Sequence, residues 1–239
     1  MLKHNLHKLW QKLLLVCLIA TASLCQAGNQ REEPLSNSVK SMLQKSISDL
    51  AAPGLTFASE TEGRAWLDDM SQRLEKRLPD PVYREDFLRS VHYEATRAGL
   101  DPQLVLGLIQ VESGFKKYAV SSVGARGYMQ VMPFWVTSIG TPEQNLFHLR
   151  LNLRYGCTIL RHYLDIEHGD LYRALGRYNG SLGKPQYPTI VVGAWRKHWE
   201  YIPKNIKNTW FSFNAFHSLF IVFSIILSVI LHKVLVINP

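Results

Sequence analysis

Apolar positions recur at helical spacing along most of the chain, and no run of alternating apolar and polar residues predicts a substantial sheet. From Glu60 onward Trp66, Met70, Leu74 and Leu78 fall every four residues, a stripe that Pro79 and Pro81 end. Tyr83 to Ala98 sets Phe87, Leu88, Val91 and Ala95 on one side and stops at Gly99. Asp101-Pro102 opens the next helix, the aspartate suited to the N-cap and the proline to the first turn, and Gly114 closes it. Along that helix Leu104, Val105, Leu108, Ile109 and Glu112 share one face, so Glu112 continues an apolar stripe. Tyr128 to Ser138 reads as helical or turn-rich. Asn145 to Glu167 reads as one long helix carrying Leu149, Leu153, Cys157, Leu160 and Leu164, and Asp170 caps a last short helix ending near Tyr178-Asn179-Gly180. The predicted class is all-α, with no internal repeat and no low-complexity segment.

The two ends depart from this pattern. Lys3, Lys8 and Lys12 precede the apolar stretch Leu13 to Ala22, and Cys25-Gln26-Ala27 sets small residues where a signal peptidase cuts. This predicts a secretory signal over residues 1–27. Leu24, directly before Cys25, argues against lipidation. Residues 28–82 read as a tether and helical extension. Residues 28–59 are rich in Ser, Gly and Pro, with a weak amphipathic stretch from Val39 to Leu50 that forms part of the tether or a loosely docked helix. At the other end Phe216 to Ile237 is almost wholly apolar, and about twenty such residues span a bilayer. Residues 211–237 are therefore read as a membrane anchor with Lys233 snorkelling to the interface. An adventitious apolar tail and a buried core helix are the competing readings.

With 239 residues, 46% of them hydrophobic and 11% aromatic, the chain has room for one packed domain plus appendages. Removal of residues 1–27 takes away three lysines and no acids, lowering the formal charge from +8 to +5. A moderately basic exported protein is drawn to anionic polymers or membrane surfaces. No Lys/Arg-rich block is present, which argues against nucleic acid. The same cleavage leaves Cys157 as the single cysteine, so no internal disulfide forms, and its apolar helical setting reads as a small buried hydrophobe.

Candidate chemistry centres on Glu112. A carboxylate on an apolar helix face is costly while ionised, and the negative end of the helix dipole disfavours it further. Both effects favour a glutamic acid protonated near neutral pH, suited to protonating a glycosidic oxygen. Periodicity alone leaves open a helix-end glutamate whose side chain bends back to water. Gly124 and Gly127 permit positive φ and close backbone approach, a loop able to curl beneath a sugar or an ordinary surface turn. Taken singly, Tyr178 is equally a packed core aromatic, and Gln130 and Asn179 signify nothing.

Three stretches stand in order: Glu112-Ser113-Gly114-Phe115, then Ser121-Ser122-Val123-Gly124-Ala125-Arg126-Gly127-Tyr128-Met129-Gln130-Val131-Met132-Pro133, then Tyr178-Asn179-Gly180. Together they resemble the signature motifs of the soluble lytic transglycosylase family, whose domain is helical and similar to goose-type lysozyme. The resemblance runs from about Tyr83 to Trp199, which implies a lysozyme-like catalytic domain over residues 83–200. It implies that Glu112 is the sole acid/base and that Ser121 lies close to the reacting centre. Gln130 and Met132 line the glycan cleft, with Gly124 in the loop beneath it, and Tyr178 and Asn179 close the opposite wall. Arg126 and Tyr128 occupy motif positions where the family varies, and Arg177 stands where an alanine is common.

Most glycosidases use two carboxylates, yet Glu112 is the one acid between Glu112 and Pro133. Asp165, Glu167 and Asp170 read as a solvated face and a cap. The resemblance implies that the substrate's 2-acetamido group supplies the missing partner and that the product is a 1,6-anhydromuramyl end. The expected partner is peptidoglycan in the periplasm of a Gram-negative bacterium, with membrane attachment through the C-terminal segment and a role in wall turnover. No cofactor and no metal are expected. The nine histidines include no helical pair with an adjacent glutamate, and His162 and His168 read as helix-surface residues. Competing readings are a lysozyme in which water attacks, a non-catalytic glycan-binding scaffold, and a dedicated partner of a wall-spanning secretion or pilus machinery.

Overall fold

The computed structural model describes residues 30–48, 57 and 59–202. Among them are eight α-helices: α1 Asn37–Ser48, α2 Glu60–Leu74, α3 Pro81–Arg97, α4 Pro102–Glu112, α5 Phe134–Ile139, α6 Leu149–Ile166, α7 Leu171–Asn179 and α8 Gln186–Ala194. A single π-helical turn, Trp195–Trp199, continues from α8. The described residues contain no strand, only isolated bridges pairing Arg126 with Val120 and Val131. The all-α class expected from periodicity is therefore observed. The expected signal over residues 1–27 and the apolar segment over residues 211–237 lie outside the described residues. No described helix is long and apolar enough to cross a membrane.

Helix starts follow the local chemistry. Asp80 accepts from the N–H groups of Val82 and Tyr83, Asp101 from that of Gln103 and Asp170 from that of Arg173, satisfying donors that a helix leaves open. Pro81 and Pro102 occupy the first helical position, where a missing N–H costs nothing. Gly180 closes α7 in the left-handed conformation at φ 73°.

The core is built around α4. Its buried Leu104, Val105, Leu108 and Ile109 meet α8 and the π-helical turn. Gly107 makes that approach close, because a Cβ there would lie 2.8 Å from the Trp195 backbone nitrogen. Helix α3 packs on α6, and α6 on α7. The α3–α6 interface buries Glu94, whose carboxylate pairs with Arg154 at 2.8 Å and with Arg97 at 3.1 Å. Cys157 is buried on α6 as a free thiol, and burial pushes its titration well up, in keeping with a hydrophobe's role.

The structure sharpens some sequence expectations and corrects others. The amphipathic stretch expected from Val39 is the helix α1, with Leu43 and Ile47 buried against the region of α5 and α6. The Tyr128–Ser138 region is turn-rich up to Pro133 and helical only over α5. The helix capped by Asp170 is not the last, since α8 and the π-helical turn follow it. His162 lies inside, packed against Trp135 and Tyr163. Glu167 is no solvated residue either; it is buried between Arg173 and Arg177.

Candidate active site

Glu112 ends α4 with its side chain turned inward and the residue only 5% exposed. Burial pushes its carboxyl up to about 8, against a smaller opposing effect from a hydrogen bond that favours the anion. The donor of that bond is the Tyr187 hydroxyl, which meets Glu112 Oε1. The other oxygen, Oε2, is buried and has no hydrogen-bond partner among the described residues. The carboxyl is thus held by one oxygen and unpartnered at the other.

Tyr187 escaped the sequence reading. It lies in the first turn of α8, between Pro185 and Pro188, in a stretch where two prolines and a preceding Gly-Lys pair signal a loop. A proline is tolerated within the first helical turn, so the helix forms regardless. The close α4–α8 packing permitted by Gly107 carries Tyr187 to Glu112, 75 residues earlier in the chain.

The loop after Glu112 is fastened to the end of α4 and to the helices behind it. The Ser113 hydroxyl donates to Tyr128 O at 2.8 Å. The Met129 peptide is gripped on both sides: its N–H donates to Asn152 Oδ1 at 2.8 Å, and its carbonyl accepts from the Tyr178 hydroxyl at 2.7 Å. Asn152 Nδ2 donates to the carbonyls of Arg126 and Leu146. Gly127, at φ 76°, fits against Asn152 with no room for a Cβ.

The expected site residues fall into two groups. Ser121 and Gly124 shape the loop: Ser121 Oγ accepts from the Ala125 N–H at 3.0 Å, and Gly124 holds φ 88°. Gln130 is buried at φ 49°, and its amide nitrogen donates to the carbonyls of Ala119 and Gly127. Met132 is half-buried just before α5. Tyr178 is wholly buried, so it braces Met129 from behind and presents no open wall; burial and then the Glu112 charge push its phenol well above the usual value. Asn179 donates to Ser181 Oγ at 3.1 Å, and its buried Oδ1, like Glu112 Oε2, has no partner among the described residues. No hydrogen bond joins Ser121 to Glu112 among the described residues. Arg177 pairs with Glu167 at 2.5 Å and with Glu33 at 2.8 Å, binding the N-terminal segment to α7.

Residues 89–187 match the Transglycosylase SLT domain. The match runs from mid-α3 to Tyr187, and Glu112, the loop, Tyr178 and Tyr187 all lie inside it. Among relatives, the chain is 38% identical over 88 residues to the Transglycosylase of Enterobacteria phage PRD1, covering 37% of this chain and 32% of that protein. It is 46% identical over 52 residues to Membrane-bound lytic murein transglycosylase C of Actinobacillus pleuropneumoniae serotype 5b (strain L20), covering 22% and 14%. It is 45% identical over 52 residues to the protein of the same description from Haemophilus influenzae (strain PittEE), covering 22% and 15%. The chain spans about a third of the phage relative's length and less of the others.

Proposed function

We propose that this chain is a peptidoglycan lytic transglycosylase with Glu112 as its single acid/base. The observation that carries the reading is the Glu112 carboxyl itself, buried, with its titration pushed up to about 8 by that burial, anchored at Oε1 by Tyr187 and unpartnered at Oε2. With Tyr187 donating to Oε1, the acidic proton belongs on Oε2, the oxygen able to meet a substrate.

Oε2–H donates its proton to the oxygen of the β-1,4 bond between N-acetylmuramic acid and N-acetylglucosamine. The bond from muramyl C1 to that oxygen breaks, and the N-acetylglucosamine end leaves as an alcohol. The carbonyl oxygen of the muramyl 2-acetamido group bonds to C1 and takes the positive charge, doing the work of a second carboxylate. Glu112, now an anion stabilised by the Tyr187 hydroxyl, removes the proton from the muramyl 6-hydroxyl. O6 bonds to C1, the C1–acetamido bond breaks, and a 1,6-anhydro ring results with Glu112 again protonated. No water is consumed. The unpartnered Asn179 Oδ1 is suited to accept from an N–H or hydroxyl of the bound glycan.

Exported action in the cell envelope, attachment through residues 211–237 and a role in wall turnover belong to the same proposal. The basic balance and terminal sequence patterns support them. The test is mass spectrometry of muropeptides released from purified sacculi by the wild type and by Glu112→Gln. Anhydromuramyl ends that vanish in the variant are expected. Reducing ends lost with Glu112 would replace the reading with a hydrolase, and release of neither would leave a glycan-binding scaffold.

A further inference from the structure

Residues 30–36 lead into α1 without regular secondary structure, and Arg31, Glu32, Glu33, Pro34 and Ser36 are exposed. Gln30 is the exception, only 4% exposed. Its Oε1 accepts from the Trp135 indole N–H at 3.0 Å, while its Nε2 is buried without a hydrogen-bond partner among the described residues. The same amide lies beside the Tyr178 hydroxyl. Burial, and after it the charges of Glu112 and Cys157, raise that phenol's titration, and the Gln30 side chain opposes them. A buried amide with one atom unsatisfied costs free energy that an apolar side chain of the same length would not. Packing alone is therefore a poor reason for a glutamine at this position.

The segment links two elements whose main packing partners lie elsewhere: α5 packs on α1, and α7 on α6 and α8. Trp135 is the second residue of α5, and its backbone N–H donates to the Met132 carbonyl at 3.1 Å, so a grip on its indole fixes the end of the motif loop. Glu33 accepts from Arg177 Nη1 through both oxygens, at 2.8 and 3.0 Å. Arg177 directly precedes Tyr178 and Asn179, the last residues of α7. One end of the segment thus holds the residues that follow Met132, and the other holds the residue before Tyr178-Asn179. Between the two grips the Tyr178 hydroxyl donates to the Met129 carbonyl at 2.7 Å. A shallow cavity of about 390 Å³, lined by Glu32, Glu33, Pro34, Leu35, Lys40 and Ser138, shows the chain crossing the far end of α5 as well.

We propose that the segment Gln30–Glu33 is a strap that sets the spacing between the Met132 and Asn179 sides of the glycan cleft, with Gln30 and Glu33 as its positioning residues. The inference rests on the reading that Glu112 acts on peptidoglycan and that Met132 and Asn179 line its cleft. Neither strap residue meets the glycan. Each acts through a neighbour: Gln30 through Trp135 and Tyr178, Glu33 through Arg177. Two walls carried by separate elements hold a strand tightly only when their separation is fixed beforehand, since a cleft that must close on its ligand loses affinity to that ordering. The Glu112–Tyr187 pair belongs to α4 and α8, which the strap's hydrogen bonds do not reach. The strap therefore governs how well the strand is bound and leaves the proton chemistry alone.

Two measurements test it, both at a temperature where thermal melts show every form fully folded. Glycan strands stripped of peptide by an amidase are titrated into Glu112→Gln protein with the native strap, with Gln30→Met, with Glu33→Ala and with Glu33→Asp. Gln30→Met keeps the side chain's length and removes the acceptor for Trp135. Binding should weaken about tenfold for Gln30→Met and about threefold for Glu33→Ala, whose ion pair is partly exposed, and Glu33→Asp should restore most of the loss. In turnover with Glu112 intact, the same strap variants should raise KM by the same factors, with kcat and the alkaline limb near pH 8 unchanged. Lowered melting temperatures with native binding and KM would make the strap a stabilising element only and overturn the proposal. A shifted alkaline limb, or a loss confined to kcat, overturns it too, because the strap would then act on Glu112. If the native protein cleaves sacculi and the variants match it, this inference alone falls. If the native protein neither cleaves nor binds the strands, the peptidoglycan reading falls and takes the inference with it.

Discussion

At Glu112 the two carboxyl oxygens have separate fates, one held by Tyr187 and the other buried without a partner, and the pH behaviour of the protein follows from this. The group must be protonated to act as acid, so kcat/KM should fall as pH rises through about 8. Tyr187 stabilises the anion. In Tyr187→Phe the alkaline limb should therefore move above that of the wild type while kcat drops about tenfold or more, from the loss of a hydrogen bond to a charged group. A pH–rate profile of the two proteins checks both. Stability carries the same signature. A carboxyl raised from 4.5 to about 8 by folding favours the native state fully below pH 4.5, and that contribution is lost as pH climbs toward 8. Glu112→Gln escapes the loss, so it should be the more stable protein at pH 7.5 by on the order of 3 kcal/mol, with little difference at pH 4. Urea melts at the two pH values measure this, and equal melts at both would show that Glu112 reaches water.

Among the elements, α4 and α8 form the pair on which the site depends. Helix α4 is legible as a run of apolar positions between Asp101-Pro102 and Gly114, because capping, proline placement and glycine stops act within a few residues. Helix α8 is not. Its first turn sits between prolines, and its buried Tyr187, Val191 and Ala194 show their common face only once α4 lies beside them. The glycine at position 107 is where the two meet. Gly107→Ala places a Cβ against the Trp195 backbone, which cannot swing aside as a side chain would. The variant should lose about 1–3 kcal/mol of stability. Because the shift also draws Tyr187 from Glu112, activity at a temperature where the variant is fully folded should fall as well. Thermal melts paired with turnover assays separate the two effects.

For the molecule as a whole, the N-terminal extension is fastened to the helices that follow it. Residues 28–59 look like a tether, yet Gln30 is buried and accepts from Trp135 Nε1 at 3.0 Å, Glu33 pairs with Arg177, and α1 buries Leu43 and Ile47. Arg177 reads in isolation as a mild departure at a motif position; in the fold it joins the N-terminal segment to the helix that ends in Tyr178-Asn179. A chain beginning at residue 59 should lose roughly 3–5 kcal/mol of stability relative to one beginning at residue 28, from two buried aliphatic side chains and their neighbours. Denaturant midpoints measure it, and coincident midpoints would return the segment to a tether.

The caps of α4 and α7, the apolar stripe that Glu112 continues and the glycine stops at Gly114 and Gly180 are written in the order of residues, since each depends on interactions within a turn or two of the chain. Tertiary packing decided what long-range contacts alone can decide. It turned Tyr178 behind the loop, where its hydroxyl meets Met129, and buried Glu167 between two arginines. It also brought Tyr187 to Glu112 across 75 residues. Periodicity can show that a residue points inward. Which partner it finds there depends on the helix packed against it.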